Sequence, residues 1–150
     1  MQRRALLTAL TSLGAALVAA TPRARAAAAE AAADKLKVVY HLSDLDRVGF
    51  VLGNIRNHVD GVGGPDHVTL ALVVHGPALR AFHAISAAPD ISRRVDEFAQ
   101  SGVELAACGN TMMAQNVSLP DLLPGFVNAE RGGVVRIAEL QSRGYLYIRP

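Results

Sequence analysis

Gly102-Val-Glu-Leu-Ala-Ala-Cys108-Gly-Asn-Thr-Met-Met-Ala-Gln115 is the stretch on which the reading of the chain turns, and it holds the only cysteine. Val103 to Ala107 reads as a short buried strand, Gly109 and Asn110 break it, and Thr111 to Gln115 begins a helical pattern. Cys108 therefore falls where a strand ends and a helix begins. Backbone N–H groups and the positive end of the helix dipole meet at such a place. A thiolate is stabilised there, so the thiol is expected to titrate below its free value of about 8.5. Asn110 and Thr111 are expected to cap the helix, and Gly109 to let backbone approach the sulfur. One reading is a nucleophilic or sulfur-carrying cysteine. The other is an inert buried apolar residue, which free cysteine commonly is.

Working outward, Ile91 to Ser101 reads as a helix with Val95 and Phe98 inward, closed by Gly102. Val68 to Val74 is apolar but for Thr69, and Leu36 to Leu42 is apolar but for Lys37 and His41. Both read as buried strands. Asp44 is placed to cap a helix from Leu45 to Val59 that carries Val48, Leu52, Ile55 and Val59 at helical spacing. Gly61 to Gly64 and Pro65 end it. His75-Gly76-Pro77 ends the second strand, and a helix from Ala78 to Ile85 follows. Downstream come a turn at Pro120 to Leu123, a short fourth strand from Val127, a helix from Ala129 to Ser142 running through Gly132 and Gly133, and a last strand from Tyr145 to Ile148.

Strands apolar on both faces belong to a mostly parallel sheet covered on both sides. Five of them alternating with helices predict a three-layer α/β domain. Right-handed crossovers bring the strand ends to one edge, beyond which such sheets bind ligands. His41 to Asp44, His75-Gly76 and Cys108 to Asn110 then share that edge. His75 is expected to accept a proton beside Cys108. Gly109, Asn110, Thr111 and His41 are candidates for substrate binding, although the plainer reading of His41 is a backbone hydrogen bond at a strand end. His58, His67 and His83 read as exposed or structural, and Met112 and Met113 as core or interface packing.

Composition limits the choices further. The length suits one domain. The formal charge is +2, but Arg3, Arg4, Arg23 and Arg25 precede Ala27 with no acid among them; without that segment eleven basic residues face thirteen acidic ones, a charge of −2. The remaining domain is not basic, so nucleic acid is not an expected partner. Residues 1–26 read as an export signal: twin arginines, a weakly apolar run from Ala5 to Ala20, and Ala24-Arg25-Ala26 as a cleavage site. The paired arginines point to the twin-arginine route, with general secretion as the runner-up. The run is short of the roughly 20 apolar residues that span a bilayer. The expected product is periplasmic and free of the membrane, with a short tail over residues 27–35 before a domain at 36–150. Gly61-Val-Gly-Gly64 ends a helix and has no Lys-Ser/Thr after it, so it is not a phosphate loop. Cys108, His75 and His41 are ligand types that suit zinc or copper, but no two lie close in sequence and a fourth is unassigned. No metal is expected.

Five segments, in order, carry a resemblance: Lys37-Val-Val-Tyr-His-Leu-Ser-Asp44, Val73-Val-His-Gly-Pro-Ala-Leu79, Cys108-Gly-Asn-Thr, Leu122-Leu-Pro-Gly-Phe126 and Leu140-Gln-Ser-Arg-Gly-Tyr-Leu-Tyr-Ile-Arg-Pro150. Over about Lys35 to Pro150 the chain resembles the DsrE/DsrF-like family of sulfur-relay proteins. The resemblance implies a flavodoxin-like strand order with strand 1 between strands 2 and 3. It implies a persulfide on Cys108, a sulfur donor and an acceptor thiol as partners, no organic cofactor, and a homo-oligomer, trimer or hexamer. On this reading the protein is a sulfurtransferase or a sulfur carrier. The alternative is a non-catalytic module that binds a small ligand or a protein at the same edge, with Cys108 inert.

Overall fold

The computed structural model describes residues 35–150; the export signal and the tail that follows it lie outside the described residues. Five parallel strands form one sheet: β1 (Leu36–Leu42), β2 (Val68–Val74), β3 (Glu104–Cys108), β4 (Phe126–Ala129) and β5 (Leu146–Ile148). Four α-helices join them: α1 (Val48–Gly61), α2 (Pro89–Gln100), α3 (Gly109–Ala114) and α4 (Gly133–Ser142). Among the described residues, no helix is long and apolar enough to cross a membrane.

Most elements lie where the apolar pattern puts them, with three local differences. The segment after Pro77 forms a 3₁₀ helix, Gly76–Phe82, rather than an α-helix from Ala78. Leu45–Arg47 is likewise a 3₁₀ turn, and Asp44 makes no side-chain cap there. The helix expected from Ala129 begins only at Gly133, because β4 runs on to Ala129 and Gly132 takes a positive φ of 103° immediately before it. That left-handed geometry is the one glycine adopts without strain.

The strand order is β4-β3-β2-β1-β5. This corrects the flavodoxin-like order: β1 lies between β2 and β5, not between strands 2 and 3. The reason is the direction of travel. From β1 to β4 the chain steps one strand at a time across the sheet, and α1, α2 and α3 pack on one face. Side chains there alternate into one core: Val38, Tyr40 and Leu42 from β1, Leu70, Leu72 and Val74 from β2, with Val51, Ile55, Val95 and Phe98 from the helices. The chain then returns past the whole sheet to reach the far side of β1. A right-handed crossover in the reverse direction must use the opposite face. α4 is that crossover, lying across β1, β2 and β3. Beneath it a second core gathers Val39, Ala71, Val73, Ala106, Ala129, Ile137 and Leu140. The three-layer architecture is thus a consequence of one reversal.

That reversal also fixes where a crevice opens. The adjacent strands β3 and β4 send their connections to opposite faces, to α3 and α4 respectively. Ligands in open α/β sheets bind beyond the strand ends at such a point. Cys108 is the last residue of β3 and is paired in register with Ala129, the last residue of β4.

Candidate functional site around Cys108

Side chains alternate along a strand. Val39, Val73 and Ala106 lie under α4, so His41, His75 and Cys108, each two residues further on, emerge on the same face at the C-terminal edge. The β2–β3 register pairs Val74 with Ala107, and its next step sets His75 beside Cys108. The shared edge expected from the sequence is present.

Cys108 is 6% exposed. Burial pushes its thiol up, but the Thr111 hydroxyl and the backbone N–H groups of Gly133, Thr111 and Asn110 favour the thiolate, and the balance holds the thiol below its ordinary value. The donors come from two directions: Asn110 and Thr111 from the start of α3, Gly133 from the start of α4. Cys108 itself is the N-cap of α3, and no side chain caps that helix. Asn110 and Thr111 therefore serve the sulfur rather than cap the helix. The Gly76 N–H donates to Thr111 Oγ1 at 3.0 Å, which leaves the hydroxyl's own hydrogen for the sulfur. Gln115 Nε2 donates to the Gly76 carbonyl at 2.9 Å. Thr111 and Gln115, one turn apart, thus hold both polar groups of the Gly76 unit and tie α3 to the end of β2.

Two glycines make the close approaches possible. A Cβ on Gly133 would stand 3.2 Å from Cys108 Cβ, 3.3 Å from Val73 Cγ1 and 3.4 Å from His75 Cβ. Val73 and Cys108 belong to strands and His75 follows β2 directly, so these atoms, fixed close to the backbone, cannot swing aside. A Cβ on Gly109 would meet Ala129 O at 3.1 Å and Glu130 Cα at 3.2 Å. Gly109 therefore admits the end of β4, and Gly133 is the residue whose backbone reaches the sulfur.

The imidazoles are paired with each other. His41 Nε2 and His75 Nε2 share a hydrogen bond of 2.5 Å, and the rings stack with centroids 4.7 Å apart. His41 Nδ1 bonds the Tyr147 hydroxyl at 2.6 Å. His41 thus bonds side chains and not backbone through its ring. His75 bonds His41 through Nε2, while the groups that favour the Cys108 thiolate are Thr111, Gly133 and Asn110. Arg149, two residues past Tyr147, donates to Ser43 Oγ at 3.0 Å and Asp44 Oδ2 at 3.2 Å. Burial, then His75, then Arg149 lower the His41 pKa to about 4, against a smaller opposing pull from Asp44. Burial and Arg149 likewise lower His75, and Asp44 opposes them. Elsewhere, His58 bonds Tyr40 and His83 bonds Gln115, both at 2.9 Å. Met112 is core, and Met113 is 77% exposed.

Among the described residues, no three His, Cys, Asp or Glu side chains converge to hold a metal ion. A cleft of about 360 Å³ opens between β4 and α4, lined by Ala106, Asn128, Ala129, Arg136 and Glu139 among others. It lies one strand over from Cys108, which does not line it. Its Arg136 is engaged by both carboxylate oxygens of Glu104 at 2.7 and 2.8 Å.

The profile of the DsrE/DsrF-like family matches residues 18–150. The chain belongs to the DsrE/DsrF-like family. The family is related to sulfur-relay proteins. Among solved structures, this DsrE/DsrF-like chain is similar to MTH1491, a protein of unknown function from Methanobacterium thermoautotrophicum. Identity is 30% with a TM-score of 0.68, over 77% of this chain and all of that one. Two others share the fold: BT1422 from Bacteroides thetaiotaomicron (16% identity, 80% and 97% covered, TM-score 0.55) and YchN from E. coli (11%, 77% and 99%, 0.53). No curated protein matches.

Three residues of this DsrE/DsrF-like site escape a reading of the sequence: Gly133, Tyr147 and Arg149. The signal for the first was Gly132-Gly133 in an otherwise helical pattern, which marks a helix start rather than its interior. Replacing Gly133 by Ala is expected to push the start of α4 off the strands and withdraw one donor from the thiolate. A hydrogen bond to a charged group contributes about 1.5–3 kcal/mol, so thiolate availability at neutral pH should fall roughly tenfold or more. The rate of alkylation by iodoacetamide measures this directly.

The histidine pair makes stability depend on pH. Its folded pKa values lie below the free value of 6.5, with His41 at about 4. The unfolded chain therefore takes up protons first as the medium becomes acid. The stabilisation is complete above pH 6.5 and is lost as the pH falls towards 4. The thermal midpoint is expected to drop across that window, and to drop less in a His41→Gln protein. Equal pH profiles for the two proteins would contradict this account.

Proposed function

We propose that the domain carries sulfane sulfur as a persulfide on Cys108. The observation that carries this reading is the placing of one sulfur at two helix starts, as N-cap of α3 and against Gly133 of α4, where a hydroxyl and three backbone N–H groups favour its thiolate. An inert core cysteine needs none of them. The thiolate attacks the outer sulfur of a donor R–S–SH, the donor S–S bond breaks, R–S⁻ leaves, and Cys108 holds Cys–S–SH. An acceptor thiolate then attacks that outer sulfur and Cys108 leaves as thiolate. One S–S bond breaks as another forms in each step, so no external oxidant and no organic cofactor is needed. Gly109, Asn110 and Thr111 surround the bound sulfur, and His75 handles its proton.

The N-terminal segment supports export, with a periplasmic site of action and the twin-arginine route. The usual cytoplasmic partners of sulfur relays would be absent there, so donor and acceptor are periplasmic sulfur compounds or thiols. A homo-oligomer fits the exposed apolar side chains beside the site, Met113 on α3 and Val134 on α4, which are 77% and 68% exposed. The 6% exposure of Cys108 is the one observation that favours the second reading, a binding module with an inert thiol.

Intact mass separates the two. Protein incubated with thiosulfate, polysulfide or glutathione persulfide should gain one sulfur atom, released again by reductant. A native protein that gains none from any of the three donors would be the binding module instead.

A further inference from the structure

A buried thiol must give up its proton before it can attack as a thiolate, and that proton needs a route. Cys108 is 6% exposed, so water has little access to it. His75 follows β2 and is the cross-strand neighbour of Cys108, with a Cβ on Gly133 meeting both of their Cβ atoms at 3.4 and 3.2 Å; from His75 the edge continues through bonded side chains to His41 on β1 and Tyr147 on β5. His75 and His41 are half-buried, and Tyr147 at the far end is 42% exposed. We propose that His75, His41 and Tyr147 form a proton relay between the Cys108 sulfur and solvent. The inference rests on the carrier reading for its purpose, but not for its test.

The relay works by tautomer exchange. In one state His75 carries its proton on Nε2 and donates to His41 Nε2, while His41 Nδ1–H donates to the Tyr147 oxygen. A proton leaving the Cys108 thiol enters at His75 Nδ1. The Nε2 proton of His75 passes to His41 Nε2, the Nδ1 proton of His41 passes to the Tyr147 oxygen, and the phenol's own proton leaves to water. Both rings end neutral with their tautomers exchanged, and the sulfur is left as thiolate. One proton has moved from sulfur to solvent, and no electrons are transferred. The reverse passage returns a proton to a sulfur anion on Cys108. Neutral rings are the requirement, and burial together with Arg149 favours them against Asp44. Those two charges and the Tyr147 phenol face the pair from the edge. Only His75 neighbours Cys108 across the strands; His41 and Tyr147 act through it and are positioning residues.

The test has two arms. In the first, the ring nitrogens of His41 and His75 are followed by NMR as the pH is taken through the Cys108 titration, in the native protein and in Cys108→Ser. Both rings should shift at the Cys108 midpoint in the native protein and stay flat in the variant. In the second, Tyr147→Phe keeps the stack and the sheet but removes the outlet. General acid–base assistance contributes about 10²- to 10⁴-fold, so delivery of sulfur to an acceptor thiol should slow by at least tenfold, with uptake stoichiometry unchanged. Rings that do not respond to Cys108 overturn the relay. So do responding rings combined with a Tyr147→Phe protein that delivers sulfur at the native rate, since coupling would then be through space only. A native protein that takes up no sulfur removes the carrier reading, whereas flat rings in the NMR arm overturn the relay itself.

Discussion

A Cys108→Ser protein is expected to fold as the native one does and to take up no sulfur at all. Serine is close in volume to cysteine, and the four donors around position 108 can bond a hydroxyl as they bond a thiol. The fold therefore loses little. Chemistry loses everything: an alkoxide is not accessible near neutral pH, whereas a thiol already titrates near 8.5 when free and lower among N–H groups. The expected result is a native far-UV spectrum and thermal midpoint, with the sulfur adduct absent from the intact mass. Cys108 is the only cysteine in the chain, so no second thiol can mask the loss. Retention of biological activity by this variant would assign the activity to the pocket and not to the sulfur.

The second large effect is on stability, and it comes from the layer beneath the site. Phe82 closes the 3₁₀ helix Gly76–Phe82 and is fully buried. Its ring meets Phe126 edge to face with centroids 5.2 Å apart. The backbone carbonyl of Phe82 also accepts the Leu123 N–H at 2.9 Å. One residue thus joins the segment that follows β2 to the segment that leads into β4. Truncating a buried phenylalanine to alanine costs about 3–5 kcal/mol through lost transfer energy and the cavity left behind. That is a large part of a stability on the order of 5–15 kcal/mol. Phe82→Ala should therefore unfold at markedly lower urea with little change in the slope of the transition. A midpoint within error of the native one would mean that the 3₁₀ segment collapses into the space.

The sequence showed the edge on which the site stands and the reason for it. Continuous apolar runs at Leu36–Leu42 and Val68–Val74 identified buried parallel strands, and their ends brought His41, His75 and Cys108 together. The order of the strands was not legible in the same way. β1 and β2 are both apolar on two faces, so pattern alone cannot say which stands between which neighbours. The deciding strand, β5, is three residues long and largely exposed. Its position beside β1 follows from the reversal of direction at β4, which only the paired register reveals. The site residues divide similarly. A cysteine between a strand and a helix announces its own donors, and Asn110 and Thr111 were found that way, though as caps. Gly133 and Tyr147 approach from elements that sequence places far away, and a glycine's contribution through its N–H leaves no side-chain signature. The bond between the two histidines is not legible in the sequence; it forms because β1 and β2 are neighbours and their ends face each other.

The position of β5 also bears on how the chain folds. Its pairing with β1 joins Val38 to Leu146, nearly the full span of the domain, whereas β1 to β4 add one after another. Contacts of such sequence separation close late, since the loop entropy must be met before they form. Until then β1 is an open sheet edge of Val38, Val39 and Tyr40. An unpaired apolar edge accepts a strand from another molecule as readily as from its own. A short C-terminal strand exchanged between two nascent copies would satisfy that edge with the native register, so strand-swapped dimers are the characteristic misassembly expected when this protein is refolded at high concentration.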